Sequence, residues 1–165
     1  MSNQQADLET IKVDFSAFIQ GAHSCTLATT SPEGGPEASY APCIHHQGNF
    51  YIFVSELASH TRNLLDRPQA SLLLTENQPR NLFACKRATL EITAQPIERD
   101  TPRWLAVLSE METRLGNTVS VIRGLNDFHL LELQPQKASY VTGFGKAYEL
   151  QGEQLQKISH INRTR

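Results

Sequence analysis

Residues 49–74, NFYIFVSELASHTRNLLDRPQASLLL, constrain the fold more than any other stretch. Phe50 to Val54 is an unbroken run of aromatic and β-branched side chains, which predicts a buried strand. Ser55 ends the run and is placed to cap a helix. Leu57, Thr61, Leu64 and Leu65 then recur at helical spacing, and Pro68 stops the helix because the residue before proline is pushed out of the α region. Ala70 to Leu74 starts a second apolar strand. The helix between them carries Ser59, His60, Thr61, Arg62 and Asn63 in a row. Free backbone N–H groups and the positive helix end make this start a place for a phosphate or carboxylate; the competing reading is a solvated face of a short linking helix.

Around this centre the chain reads as short strands with few helices. Leu8, Ile11, Phe15, Phe18 and Ile19 predict an amphipathic helix over about 7–20, stopped by Gly21. SCTLATT, the turn SPEGGP and Glu37 to Pro42 predict a hairpin, with Pro42 at an edge or bulge. His45 and His46 fall in a predicted polar turn. Leu82 to Cys85 and Ala88 to Ala94 read as a strand pair or one bent strand. Thr101 as N-cap and Pro102 at the first helical position open a helix whose apolar face runs from Trp104 to Leu115, ended by Gly116. Val119 to Leu125 is open between helix and loop. Phe128 to Leu133 and Ala138 to Phe144 predict two further strands, and Leu155 to His160 a short last element. Six or seven short strands with two or three helices predict an α+β, mainly β domain closed into a small antiparallel barrel. It forms one unit over 1–165: helix about 7–20, barrel about 24–160, then a short C-terminal tail with Arg163 and Arg165.

Charge and cysteine usage narrow the function. A formal charge of −2 argues against a nucleic-acid binder. Cys25, Cys43 and Cys85 have no metal or redox spacing, so three free thiols in a reducing compartment are expected. No run is long enough for a membrane span, and MSNQQADLET lacks the pattern of a secretory signal, so the expected location is the cytoplasm. Dinucleotide, phosphate-loop, zinc-protease and hydrolase motifs are all missing. None of the six histidines has metal spacing, although a single histidine suffices to hold a haem iron. Lys86 and Arg87 precede an alternating strand, either as ligand contacts or as edge protection.

Seven segments in register resemble the haem-utilisation proteins of the HugZ/HutZ type: ATTSPEGGPEASYAP, FVSELASHTRNL, SLLLTEN, NLFACKRATLE, IERD, GLNDF and GFGKAY. These proteins are part of the FMN-binding split β-barrel superfamily, alongside pyridoxamine-phosphate oxidase. The resemblance implies a homodimer of split barrels with a cofactor in the cleft between subunits. It implies haem, with dioxygen and an external electron donor opening the macrocycle and releasing iron. Haem propionates would lie near His60, Arg62 and Arg87, with Ser59, Lys86 and Tyr40 also in the cofactor-binding set. Asp127 matches an aspartate that supports the partner subunit's axial histidine. That histidine belongs to a Gly-His-Arg segment not found in residues 1–165, and His160 matches the first, non-ligating histidine of the same tail. His160 is the expected substitute for that iron ligand and, with Asp127, the expected catalytic pair; the alternative is an iron held by another residue. The same fold leaves two alternatives: an FMN-dependent oxidoreductase with its phosphate near His60, Arg62 and Lys86, or a non-enzymatic haem or flavin carrier. At Ala58-Ser59-His60 the chain departs from the Ser-Arg-Lys of flavin relatives and the Ala-Arg-His of the haem branch.

Overall fold

The computed structural model describes residues 2–161. Nine antiparallel strands form one sheet: β1 Ser24–Thr30, β2 Pro36–Pro42, β3 Ile44–His46, β4 Asn49–Ser55, β5 Gln69–Thr75, β6 Arg87–Ile97, β7 Phe128–Gly143, β8 Lys146–Gln151 and β9 Lys157–His160. Four helices flank it: α1 Ser2–Gln20, α2 Ser59–Asp66, α3 Pro102–Leu115 and α4 Thr118–Ile122. The strand order is β2-β1-β5-β6-β7-β4-β3, with β8 and β9 continuing outward from β7. The end strands of that order, β2 and β3, are separated in the chain by Cys43 alone, whose N–H donates to the His23 carbonyl. The two edges therefore curl towards each other, as the expected barrel requires.

β4 divides two cores. Phe50, Ile52 and Val54 point into the barrel with Leu27, Leu72, Leu90, Leu131 and Leu133, while Tyr51 and Phe53 face outward under Trp104, Leu108 and Met111 of α3. An unbroken apolar run is the pattern of a strand covered on both sides. α3 starts and stops as its sequence predicts: Thr101 Oγ1 accepts from the Trp104 N–H and Gly116 caps the end at φ 92°.

Several expectations are corrected. The two strands predicted around Gln134-Pro135 are one 16-residue strand, β7. Pro135 sits opposite Ile92, where the β6–β7 register shifts, and a bulge tolerates a residue without an N–H. β7 is the spine of the sheet: one edge pairs with β6, the other with β4 first and β8 afterwards. Leu82–Ala84 is a 3-10 turn capped by Asn81, not a strand. His45 and His46 lie in β3, half-buried, where His45 Nδ1 meets Gln20 Oε1 at 2.9 Å. Residues 118–122 are helical, and α1 begins at Ser2, before the predicted start. α2 begins at Ser59 behind Ala58, so Ser55 does not cap it; Leu57 and Leu65 are exposed, and the buried face is His60, Thr61, Asn63 and Leu64. Arg163 and Arg165 lie outside the described residues. Among the described residues no helix is long and apolar enough to cross a membrane.

Candidate functional site

All of the predicted site residues except Lys86 and Tyr40 fall into two groups at opposite ends of the barrel. Strand register sets the separation. Ile97 pairs with Leu130 at one end of β6, beside Asp127, and Arg87 pairs with Val141 at the other. Ten residues of strand at about 3.3 Å each put roughly 30 Å between them.

The first group surrounds the start of α2. Ser55 Oγ donates to Asp127 Oδ2 at 2.6 Å and accepts from the Leu57 N–H at 3.1 Å, so its single proton is committed to the carboxylate. The Glu56 N–H donates to the Asp127 carbonyl, and Arg99 gathers the Arg123, Leu125 and Phe128 carbonyls around the same loop. The Arg99 guanidinium lies over the Trp104 ring at 5.3 Å. Backbone and side chain of Asp127 are thus both fixed, although Ser55 and Asp127 are 72 residues apart. His129 Nε2 meets Glu56 Oε1 at 2.6 Å in the same patch. Ser59 is exposed at the head of α2. Arg62 is exposed, but its guanidinium already donates to the Glu56 carbonyl. His60 departs from its expected place on the polar side: it is 7% exposed, its Nε2 has no hydrogen-bond partner among the described residues, and burial lowers its pKa. A neutral, enclosed imidazole is a poor anion ligand.

The second group forms a cleft of about 490 Å³ between the 3-10 turn and the β7–β8 turn, lined by Phe83, Arg87, Val141, Phe144, Lys146 and His160. Phe83 and Phe144 are 89% and 86% exposed, unusually bare for phenylalanine. His160 lies on β9 opposite Tyr148, its exposed ring edge-on to the tyrosine at 5.0 Å. It is therefore held on a strand, with its imidazole beside the cleft. Arg87 gives one bond to the Cys85 carbonyl, and most of its N–H donors have no partner among the described residues. Lys86 does not join this cleft. Its ammonium turns to α1 and pairs with Asp14 at 2.9 Å, where Tyr140 also donates to Asp14 at 2.6 Å. Burial alone would raise the Asp14 pKa, but the bonds from Lys86 and Tyr140 hold it below its usual value. Tyr40 is on the edge strand β2 opposite Thr26, 67% exposed and outside both groups.

Sequence reasoning missed Ser55 as the partner of Asp127, and Phe83, Phe144 and Lys146 as cleft residues. For the last two the glycine-flanked aromatic of GFGKAY was the available signal.

Apolar walls, an imidazole and two basic groups suit a flat, largely apolar ring carrying carboxylates, and the porphyrin of haem has that chemistry. The α2 end suits a flavin phosphate less well, since His60 is enclosed and Arg62 is engaged. Among the described residues no three His, Cys, Asp or Glu side chains are grouped to hold a bare metal ion.

Known proteins agree with this fold. The pyridoxamine 5'-phosphate oxidase family matches residues 11–142. The haem oxygenase HutZ of Vibrio cholerae is 35% identical over 153 residues, covering 92% of this chain and 87% of that protein. The crystal structure of Campylobacter jejuni ChuZ superposes with a TM-score of 0.85 at 26% identity, over 95% of this chain and 66% of that one. A haem-binding protein from Mycobacterium smegmatis gives 0.75 at 27% identity, over 84% of this chain and 56% of that one. By these matches the chain belongs to the pyridoxamine 5'-phosphate oxidase family, in its HutZ-like branch.

Proposed function

We propose that this protein binds haem in a cleft completed by a second copy of the chain and degrades it with dioxygen and electrons from an external donor in the cytoplasm. The observation that carries the reading is the joining of His160 and Arg87 in one apolar-walled cleft. Kinship supports it: HutZ is a haem oxygenase at 35% identity.

Each side chain then has a role set by its position. His160, braced by Tyr148, would supply the nitrogen that holds the haem iron. Arg87 offers its planar fork to a propionate carboxylate. Asp127 is too far along the barrel to serve its own chain's cleft, so it serves the partner's. There Ser55 fixes Oδ2 and leaves Oδ1 to accept from an imidazole or an ordered water. The exposed Leu57 and Leu125 beside the Asp127 loop give that end an apolar surface for the partner. Bound haem supplies the oxygen chemistry; this chain's residues bind the ring, orient it and hold the hydrogen bonds around it.

Turnover tests the enzymatic part. Haem-loaded protein given a reductant in air is expected to lose its haem absorption and release iron to a ferrous chelator. An unchanged haem spectrum under those conditions would leave a carrier. The flavin reading retains one favourable feature, the exposed Ser59 at the head of α2; saturable quenching of FMN fluorescence would support it.

A further inference from the structure

The haem reading leaves open what sets the orientation and selectivity of the ring, and the β7–β8 turn has the chemistry to do so. Lys146 is exposed in the first position of β8 and its ammonium has no acidic partner among the described residues. Its neighbours differ. Lys86 is neutralised by Asp14 and Lys137 by Glu149, the latter at 2.6 Å. Among the described residues no carboxylate side chain lines the cleft, while Arg87, Lys146 and His160 all do. The described lining is therefore positive. Beside it, Phe144 is held outward between two glycines. Gly145 takes φ 73°, where a side chain would be strained, so the backbone turns sharply and the ring stays clear of the sheet. Phe83 is equally bare on the facing turn.

Resting on the haem reading, we propose that the β7–β8 turn is the specificity element of the cleft: Lys146 binds a carboxylate of a planar dicarboxylate ring while Phe144 and Phe83 cover its apolar face. Arg87 takes the other carboxylate, so the pair selects for a dianion.

The test compares haemin with haemin dimethyl ester, which has the same ring without the charges, by absorption titration of the full chain. An exposed charge pair contributes under about 1 kcal/mol, and each 1.4 kcal/mol is tenfold in affinity. Lys146→Gln is therefore expected to weaken haemin about threefold to fivefold, to leave the ester unchanged and to flatten the salt dependence of haemin binding. Phe144→Ser is expected to weaken both ligands. Lys137→Gln, whose partner is Glu149, is expected to change neither. Haemin affinity equal in Lys146→Gln and the unsubstituted protein would overturn the proposal, and so would an equal loss for haemin and ester. Failure of the unsubstituted protein to take up haemin would overturn the haem reading itself, which keeps the two apart.

Discussion

Asn63→Ala tests how α2 is fastened to the barrel. Asn63 is 4% exposed, and its amide nitrogen donates to Thr29 Oγ1 at 3.0 Å and to Glu37 Oε2 at 2.8 Å. The two bonds tie α2 to β1 and β2 at once. Arg67, donating to the Ser31 and Pro32 carbonyls, holds the other end of the helix to the same hairpin. A net neutral hydrogen bond is worth about 1 kcal/mol and one to a charged group about 1.5–3 kcal/mol, so their loss costs about 2.5–4 kcal/mol. Thr29 is 2% exposed and cannot turn to water for a replacement donor. Urea unfolding, followed by tryptophan fluorescence and circular dichroism, is expected to show that loss as a lower midpoint with an unchanged slope. Asn63→Leu separates the causes: it refills the volume without restoring the bonds, so it should stay close to the alanine variant. A loss under about 0.5 kcal/mol in Asn63→Ala, or full recovery in Asn63→Leu, would refute the argument that these bonds fasten the helix.

Other contacts carry expectations of their own. Tyr140→Phe removes the hydroxyl that donates to Asp14 and should cost about 1.5–3 kcal/mol, with faster hydrogen exchange in α1. Burial, then the charge of Arg114, lowers the His45 pKa from 6.5 to about 4. The unfolded chain thus takes up a proton that the folded chain refuses, so stability is full above about pH 6.5, falls as pH drops towards 4, and changes less in that window in His45→Gln. Ser55→Ala frees the Asp127 carboxylate to rotate; it should alter the visible spectrum of the haem-loaded protein, and Ser55→Thr should restore it. Should Ser55→Ala leave that spectrum untouched, Asp127 does not reach the ligand.

What the sequence disclosed depended on whether the signal was local. The T-P pair at 101–102 and Gly116 bound α3 because caps act within one turn. The run Phe50 to Val54 was legible because both faces are buried. β7 was not legible as one strand, since Pro135 reads as a break until its bulge opposite β6 is known. Site residues fared similarly. Arg87 and His160 line one cleft, assembled from the 3-10 turn, β6, β7, β8 and β9. Lys86 was drawn from the cleft by Asp14, a carboxylate 72 positions earlier that no pattern links to it. His60 looked polar because its neighbours Ser59 and Arg62 are, yet helical phase turns it inward beside Leu64.

The central claim is that His160 faces the iron of bound haem. Absorption titration of the protein with haemin, repeated with His160→Ala, tests it most directly. The account predicts a sharp, saturable Soret band that the substitution shifts or abolishes, since the imidazole is exposed and its loss disturbs little else. A Soret band identical in both proteins would move the ligand elsewhere, and no band in either would contradict the account.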